Sequence, residues 1–107
     1  MKFRRAILLV LIHLFLGPAV ALALTADEQF LAARDAARAG DRARLERLAS
    51  SLQGHELDPY VEYWQLLLDL KDSEPATVGT FLARHENTYL AEKLRVDWLR
   101  QLARKQQ

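Results

Sequence analysis

Residues 58–70 constrain the fold of this chain more than any other part of its sequence, because they predict a helix that is apolar on nearly every side. Pro59 suits a first helical turn, where its missing N–H would have no partner within the helix, and Asp58 is placed to cap that turn. The polar residues inside the helix are Glu62, Gln65 and Asp69. Their spacings of three and four positions place them on one narrow stripe. Other helices cover a helix of this kind on most sides, so we expect it to be central in an all-helical body.

Residues 1–23 have the pattern of a cleavable signal peptide. Three basic residues precede an apolar run, a Gly-Pro break and a series of small residues. We expect cleavage between Ala23 and Leu24, with residues 19–21 as the competing site, and export to the periplasm by the general secretory route. The alternative is a retained membrane anchor, but the run is shorter than the ~20 residues that a spanning helix needs, and Pro18 interrupts it.

The charge balance argues against one class of function. The whole chain has 15 basic and 14 acidic residues, and three of the basic ones lie within residues 1–23. The other 12 basic and 14 acidic residues give the remainder a net charge of −2, so we expect no nucleic-acid binding. Cleavage of the signal peptide would also leave the mature chain without a membrane partner. The absence of cysteine excludes a disulfide framework, a thiolate zinc site and a lipid-modified cysteine.

Residues 24–107 predict about five helices joined by short turns, with no strand pattern. Thr25, with a glutamate three residues later, forms a capping box for a first helix over Ala26–Ala39. Gly40 is placed as its C-terminal cap, and Asp41 caps a second helix. The apolar stripe of this second helix is Leu45, Leu48, Ala49 and Leu52.

Two further helices follow the central one. The fourth begins near Pro75, and its stripe consists of Val78, Phe81, Leu82 and His85. The fifth runs from about Tyr89 to Lys105. Its stripe consists of Leu90, Ala91, Leu94, Trp98, Leu99 and Leu102.

These patterns predict an all-α fold of antiparallel helical hairpins, of tetratricopeptide-like or superhelical type, forming one module over residues 24–107. Helices one and two form the first hairpin and helices three and four the second, which leaves helix five without a partner in the chain. The predicted core residues are Tyr60, Tyr63, Trp64, Leu67, Leu68, Phe81, Leu94 and Trp98. Trp98 and Leu99 require a cover, either the remainder of a larger protein or another helical surface.

The sequence predicts no catalytic residue, no cofactor and no metal site in this chain. His55 and His85 each lack the second histidine that a zinc-protease helix has four residues on. Glu62 and Asp69 share one helix face, but a glycosidase pair would need a cleft and a raised pKa on one member. We interpret them as a solvated stripe. Aromatic residues of the central helix are an alternative sugar-stacking platform, although we assign them to the core.

Three stretches carry a resemblance to a known family. They are the alanine-rich first helix with the short second one (residues 28–52), residues 58–65 (Asp-Pro-Tyr-Val-Glu-Tyr-Trp-Gln) with the leucines that follow, and residues 77–85 with 94–104. Together they resemble the N-terminal segment of soluble lytic murein transglycosylases. In that family such a segment begins a long superhelical, ring-like domain.

The resemblance implies a catalytic domain elsewhere. In the family, a separate C-terminal domain similar to goose-type lysozyme holds one catalytic glutamate, cleaves the bond between N-acetylmuramic acid and N-acetylglucosamine, and leaves a 1,6-anhydro end. This chain has no Glu-Ser pair and no Gly-Leu-Met-Gln motif, so no catalytic residue is carried over. We expect an inactive N-terminal slice that acts on peptidoglycan only indirectly. The alternative is a free-standing periplasmic helical-repeat adaptor that binds a protein or peptide.

Overall fold

The computed structural model describes residues 24–106, and over that range the chain forms α-helices and one short 3₁₀ helix without any strand. The helices are α1 (Ala26–Ala39), α2 (Arg42–Ser51), α3 (Asp58–Asp69), the 3₁₀ helix (Leu70–Asp72), α4 (Pro75–Arg84) and α5 (Tyr89–Lys105). The predicted all-α fold class is therefore confirmed. The predicted signal peptide and its last residue, Ala23, lie outside the described residues, which begin at Leu24.

Local side chains set both ends of α1 and the start of α2. Thr25 Oγ1 accepts a hydrogen bond from the Glu28 N–H at 3.1 Å, and the Glu28 carboxylate accepts one from the Thr25 N–H at 3.1 Å. This is the predicted capping box. Gly40 ends α1 with φ of +71°, in the left-handed region that favours glycine. Asp41 Oδ1 then accepts from the Arg44 N–H at 3.1 Å and caps α2.

The start of α3 differs from the prediction. Asp58 does not cap the helix but is its first residue, and Leu57 before it provides no side-chain cap. The Asp58 carboxylate instead accepts a long hydrogen bond of 3.4 Å from the Gly54 N–H. His55 Nδ1 accepts from the Leu57 N–H at 3.0 Å. The side chains of His55 and Asp58 therefore accept backbone hydrogen bonds within the turn between α2 and α3. The sequence pattern assigns Asp58 to capping the helix instead.

The odd-numbered helices form a continuous series of contacts, with α1 against α3 and α3 against α5. Helix α1 packs on α2, and α3 packs on both; α5 packs on α3, on α4 and on the 3₁₀ helix. The expectation that helix five has no partner in the chain is therefore wrong. It was based on pairing helices three and four as a hairpin, whereas the helix that α4 chiefly packs on is α5.

Two apolar clusters form the core, and Trp64 packs against both. The N-terminal cluster is built from α1, α2 and α3, and its buried members are Ala33, Ala36, Leu45, Leu52 and Val61. The C-terminal cluster is built from α3, the 3₁₀ helix, α4 and α5, and its buried members are Tyr63, Leu70, Val78, Phe81, Leu90 and Leu94. Alanines at the α1 contact let the neighbouring helices approach closely.

The predicted core residues divide into three groups. Tyr63, Phe81 and Leu94 are buried, and Trp64, Leu68 and Trp98 are partly buried against the two clusters. Tyr60 and Leu67, by contrast, are each 37% exposed, which corrects their assignment to the core. They lie seven positions apart on one face of α3. That face opens onto a groove that Tyr60 and Leu67 line.

Candidate functional site

A groove between α1, α3 and α5 lies along this open face of α3. We call it the aromatic groove. Helix α1 contributes Arg34, Ala37 and Arg38, helix α3 contributes Tyr60, Tyr63, Trp64, Leu67 and Leu68, and helix α5 contributes Tyr89, Leu90 and Lys93. Its volume is about 470 Å³, within the range of roughly 300–1,000 Å³ typical of ligand sites.

The floor of the aromatic groove is made of rings. Tyr60 and Trp64 lie one helical turn apart on α3, with ring centroids 6.4 Å apart. Trp64 is held from behind by Phe30, whose ring centroid lies 5.2 Å away. Tyr89 is 70% exposed at the start of α5. The groove therefore presents flat apolar surface, supported by the N-terminal cluster, to any ligand that enters it.

The charged side chains of the aromatic groove are all cationic. Arg34, Arg38 and Lys93 line it, and no aspartate or glutamate is among its lining residues. Lys93 Nζ lies 5.7 Å from the centroid of the Tyr63 ring, close enough for a cation–π contact. Arg34 contacts Asp35 at 3.4 Å through Nη2. Its Nε is buried and has no hydrogen-bond partner among the described residues.

Tyr63 fixes the distance between α3 and α5 at the wall of the groove. Its hydroxyl donates a hydrogen bond to Asp97 Oδ2 at 2.6 Å. Burial raises the pKa of Tyr63 well above its ordinary value, and the hydrogen bond to Asp97 and the Asp97 charge raise it further. The phenol therefore keeps its proton at neutral pH and serves as a permanent donor.

The carboxylates of α3 do not form the predicted solvated stripe. Glu62 binds Arg84 through Oε1, and its Oε2 lies 3.3 Å from His85 Nε2. Asp69 Oδ1 lies 2.7 Å from Arg42 Nη1. These contacts join α3 to α4 on one side and to α2 on the other. Glu62 and Asp69 thus act as bridges between helices, although Asp69 stays 55% exposed.

His85 is held between an aromatic ring and an ion pair. Its ring centroid lies 4.4 Å from that of Phe81, and its side chain is 18% exposed. Burial lowers its pKa, and the positive charge of Arg84 lowers it further. The negative charge of Asp58 acts in the opposite direction and raises the pKa, but less than burial lowers it.

The other predicted features have structural surroundings of their own. His55 stacks on Phe30 at 5.9 Å between ring centroids, and its Nε2 lies 3.3 Å from Asp27 Oδ1. Over residues 24–106, no group of three or more histidine, cysteine, aspartate or glutamate residues is arranged to hold a metal ion. Within the same range, no helix is both long enough and apolar enough to span a bilayer.

A second surface of interest lies on the later turns of α5. Val96, Leu99 and Leu102 are spaced three positions apart, and they are 45%, 59% and 36% exposed. We call this surface the α5 open face. Trp98, beside it, is partly buried against the C-terminal cluster. Of the pair that the sequence marks as needing a cover, Leu99 is therefore exposed and Trp98 is mostly covered.

Sequence reasoning missed the cations of the groove and Tyr89. Arg34 and Arg38 are four positions apart on α1, and Tyr89 and Lys93 are four positions apart on α5. This spacing places each pair on one helix face. The signal is present in the sequence, but such pairs are common on wet helix surfaces, and only the packing of α1, α3 and α5 brings these two pairs together.

In comparisons with known proteins, no family model, no curated protein and no solved structure matches this chain.

Proposed function

We propose that residues 24–106 are a helical-repeat scaffold module of a periplasmic soluble lytic murein transglycosylase, with the cleavage chemistry supplied from outside this chain. The observation that carries the proposal is the α5 open face. In stacked helical arrays each layer buries its apolar face against the next one, and Val96, Leu99 and Leu102 offer such a face. The next helical layer of the enzyme would cover them.

The stretch that carries the family resemblance supports the same proposal. Residues 58–65 form most of α3, the helix that joins both halves of the core. Val61 belongs to the N-terminal cluster, Tyr63 belongs to the C-terminal cluster, and Trp64 packs against both. Residues of the stretch that carries the resemblance thus hold the helical stack together, as a scaffold requires.

The first test of the scaffold function uses the DNA downstream of the Gln107 codon, translated in all frames. We expect further helical hairpins followed by a lysozyme-like domain that contains a Glu-Ser pair. A chain that includes this domain should release 1,6-anhydro muropeptides from purified peptidoglycan, whereas the 107-residue chain should release none. Unrelated downstream sequence would contradict the proposal.

Export is tested separately by determining the N-terminal residue of the chain purified from cells that express all 107 residues. We expect Leu24 as the first residue and recovery from the periplasmic fraction. An intact N-terminus in the membrane fraction would instead establish the retained anchor.

The aromatic groove favours a second candidate function, a periplasmic adaptor that binds a peptide or protein. Concave surfaces of stacked helical hairpins are the usual binding faces of repeat proteins. If the downstream DNA is unrelated, the adaptor becomes the leading function, and partners captured by the purified chain should depend on groove residues such as Tyr60.

A further inference from the structure

We propose that the aromatic groove binds an extended acidic peptide, one that carries carboxylates next to aromatic or aliphatic side chains. This is a binding activity of the module itself. It goes beyond the scaffold function, and it does not depend on whether a catalytic domain is attached.

The distribution of charge is the first reason. The chain beyond residue 23 has 12 basic and 14 acidic residues, yet the groove has three cations and no carboxylate among its lining residues. Within the described residues, Arg42, Arg84 and Arg95 outside the groove pair with carboxylates, and Arg34 in the groove contacts Asp35. The groove is therefore a local positive patch on a net negative body, and it attracts an anionic partner.

The second reason is that two of the three groove cations are available. Among the described residues, neither Arg38 nor Lys93 forms an ion pair with a carboxylate. Arg38 is exposed on α1, so a carboxylate of the ligand can pair with its guanidinium group in a planar, paired geometry.

The third reason is the apolar floor between these cations. Tyr60 and Leu67 are each 37% exposed on α3, and Tyr89 is 70% exposed on α5. Rigid aromatic side chains bury a large area at a low cost in conformational entropy. A segment that places aromatic side chains on this floor and carboxylates toward the rim would satisfy both parts of the groove.

The same lining disfavours other ligands. Sugar hydroxyl groups both donate and accept hydrogen bonds, and tyrosine hydroxyls are the only side-chain acceptors among the residues that line the groove. A nucleic acid would meet three cations within a body of net negative charge. The groove volume of about 470 Å³ suits a few side chains of a short segment rather than a folded domain.

The test measures binding by fluorescence anisotropy, using the chain purified from cells that express all 107 residues. The probe is a fluorescein-labelled acidic peptide of alternating glutamate and phenylalanine. The neutral control peptide has glutamine in place of each glutamate. We expect the acidic peptide to bind at least about tenfold more tightly, which is about 1.4 kcal/mol. Raising the salt concentration from about 20 to about 200 mM should remove much of the difference.

Charge reversal locates the site. The variant R38E/K93E reverses two groove cations, and R44E/R47E makes the same change in charge on α2, outside the groove. We expect the groove variant to lose at least about tenfold in affinity for the acidic peptide and the control to lose less than about threefold. The variant R38Q/K93Q removes the same cations without adding negative charge. It replaces R38E/K93E in the binding test if circular dichroism shows that the charge reversal unfolds the chain.

Three results would overturn the proposal. The first is equal affinity for the acidic and the neutral peptide. The second is equal loss in the groove and control variants, which would show a general charge effect. The third is displacement of the acidic peptide by a neutral chitin oligosaccharide, which would assign the groove to a glycan.

Discussion

At the scale of single residues, adjacent positions on α3 hold different helices. Tyr63 donates to Asp97 on α5 at 2.6 Å, and Glu62 binds Arg84 and His85 at the end of α4. Adjacent residues of a helix point about 100° apart, so each contact pulls a separate neighbour onto α3. The stack therefore depends on a few polar contacts as well as on its two apolar clusters.

The substitution Tyr63→Phe tests the contact with α5. We expect it to lower the free energy of unfolding by about 1–2 kcal/mol, because it removes a hydrogen bond to a charged group and leaves the half-buried Asp97 carboxylate without this donor. Urea unfolding followed by circular dichroism measures the change. Tyr60→Phe is the matched control: its hydroxyl has no hydrogen bond among the described residues, and we expect less than about 0.5 kcal/mol. Equal losses would contradict this role for Tyr63.

His85 gives the chain a predicted pH dependence. Its pKa is lowered in the folded state from the ordinary value of 6.5, so below that pH the unfolded chain binds more protons at this site. The stability associated with the neutral ring is present above pH 6.5 and is lost as the pH falls through the folded pKa. Urea unfolding at about pH 8 and about pH 5 should therefore show a smaller loss for His85→Gln than for the natural chain. His55→Gln, which leaves the Glu62 contacts intact, is the control; an unchanged loss in His85→Gln would refute the prediction.

At the scale of elements, two glycines test how helix ends and helix interiors respond to the same change. Gly40 ends α1 with φ of +71°, whereas Gly79 lies inside α4, and an added Cβ would meet no atom within 4 Å at either position. Gly40→Ala should lower the free energy of unfolding by about 1 kcal/mol, because alanine is strained in the left-handed region. Gly79→Ala should raise it by about 0.5–1 kcal/mol, because alanine is the better helix former. Thermal unfolding of the two variants should shift in opposite directions, and shifts of the same sign would be inconsistent with the φ angle of Gly40.

The element scale also shows which parts of the structure were predictable. The bounds of α1 and α5 follow from residues within one turn of each end, such as Thr25 and Gly40, so the sequence alone predicts them. The neighbours of α5 and the exposure of Tyr60 depend on how helices stack, which local patterns do not record. The groove was missed for the same reason: Arg38 and Lys93 are 55 positions apart in the chain.

At the scale of the whole molecule, Trp64 couples the two halves of the core because it packs against both clusters. We expect the natural chain to unfold in one transition by circular dichroism and by tryptophan fluorescence. In Trp64→Ala the remaining tryptophan, Trp98, reports on the C-terminal cluster, and we expect its transition to separate from the circular dichroism transition. Trp98→Phe is the control and should keep the two transitions together. Coincident transitions in Trp64→Ala would show that the halves are coupled by other contacts.

The alternation of helices along the stack has a consequence for the length of any bound segment. The odd-numbered helices α1, α3 and α5 line the aromatic groove. The axes of two helices that pack against each other are about 8–10 Å apart. Each added hairpin would lengthen the groove by that distance, which an extended peptide spans with about three residues. In a helical stack of this design, the number of hairpins therefore sets how many residues of a bound strand fit along the groove.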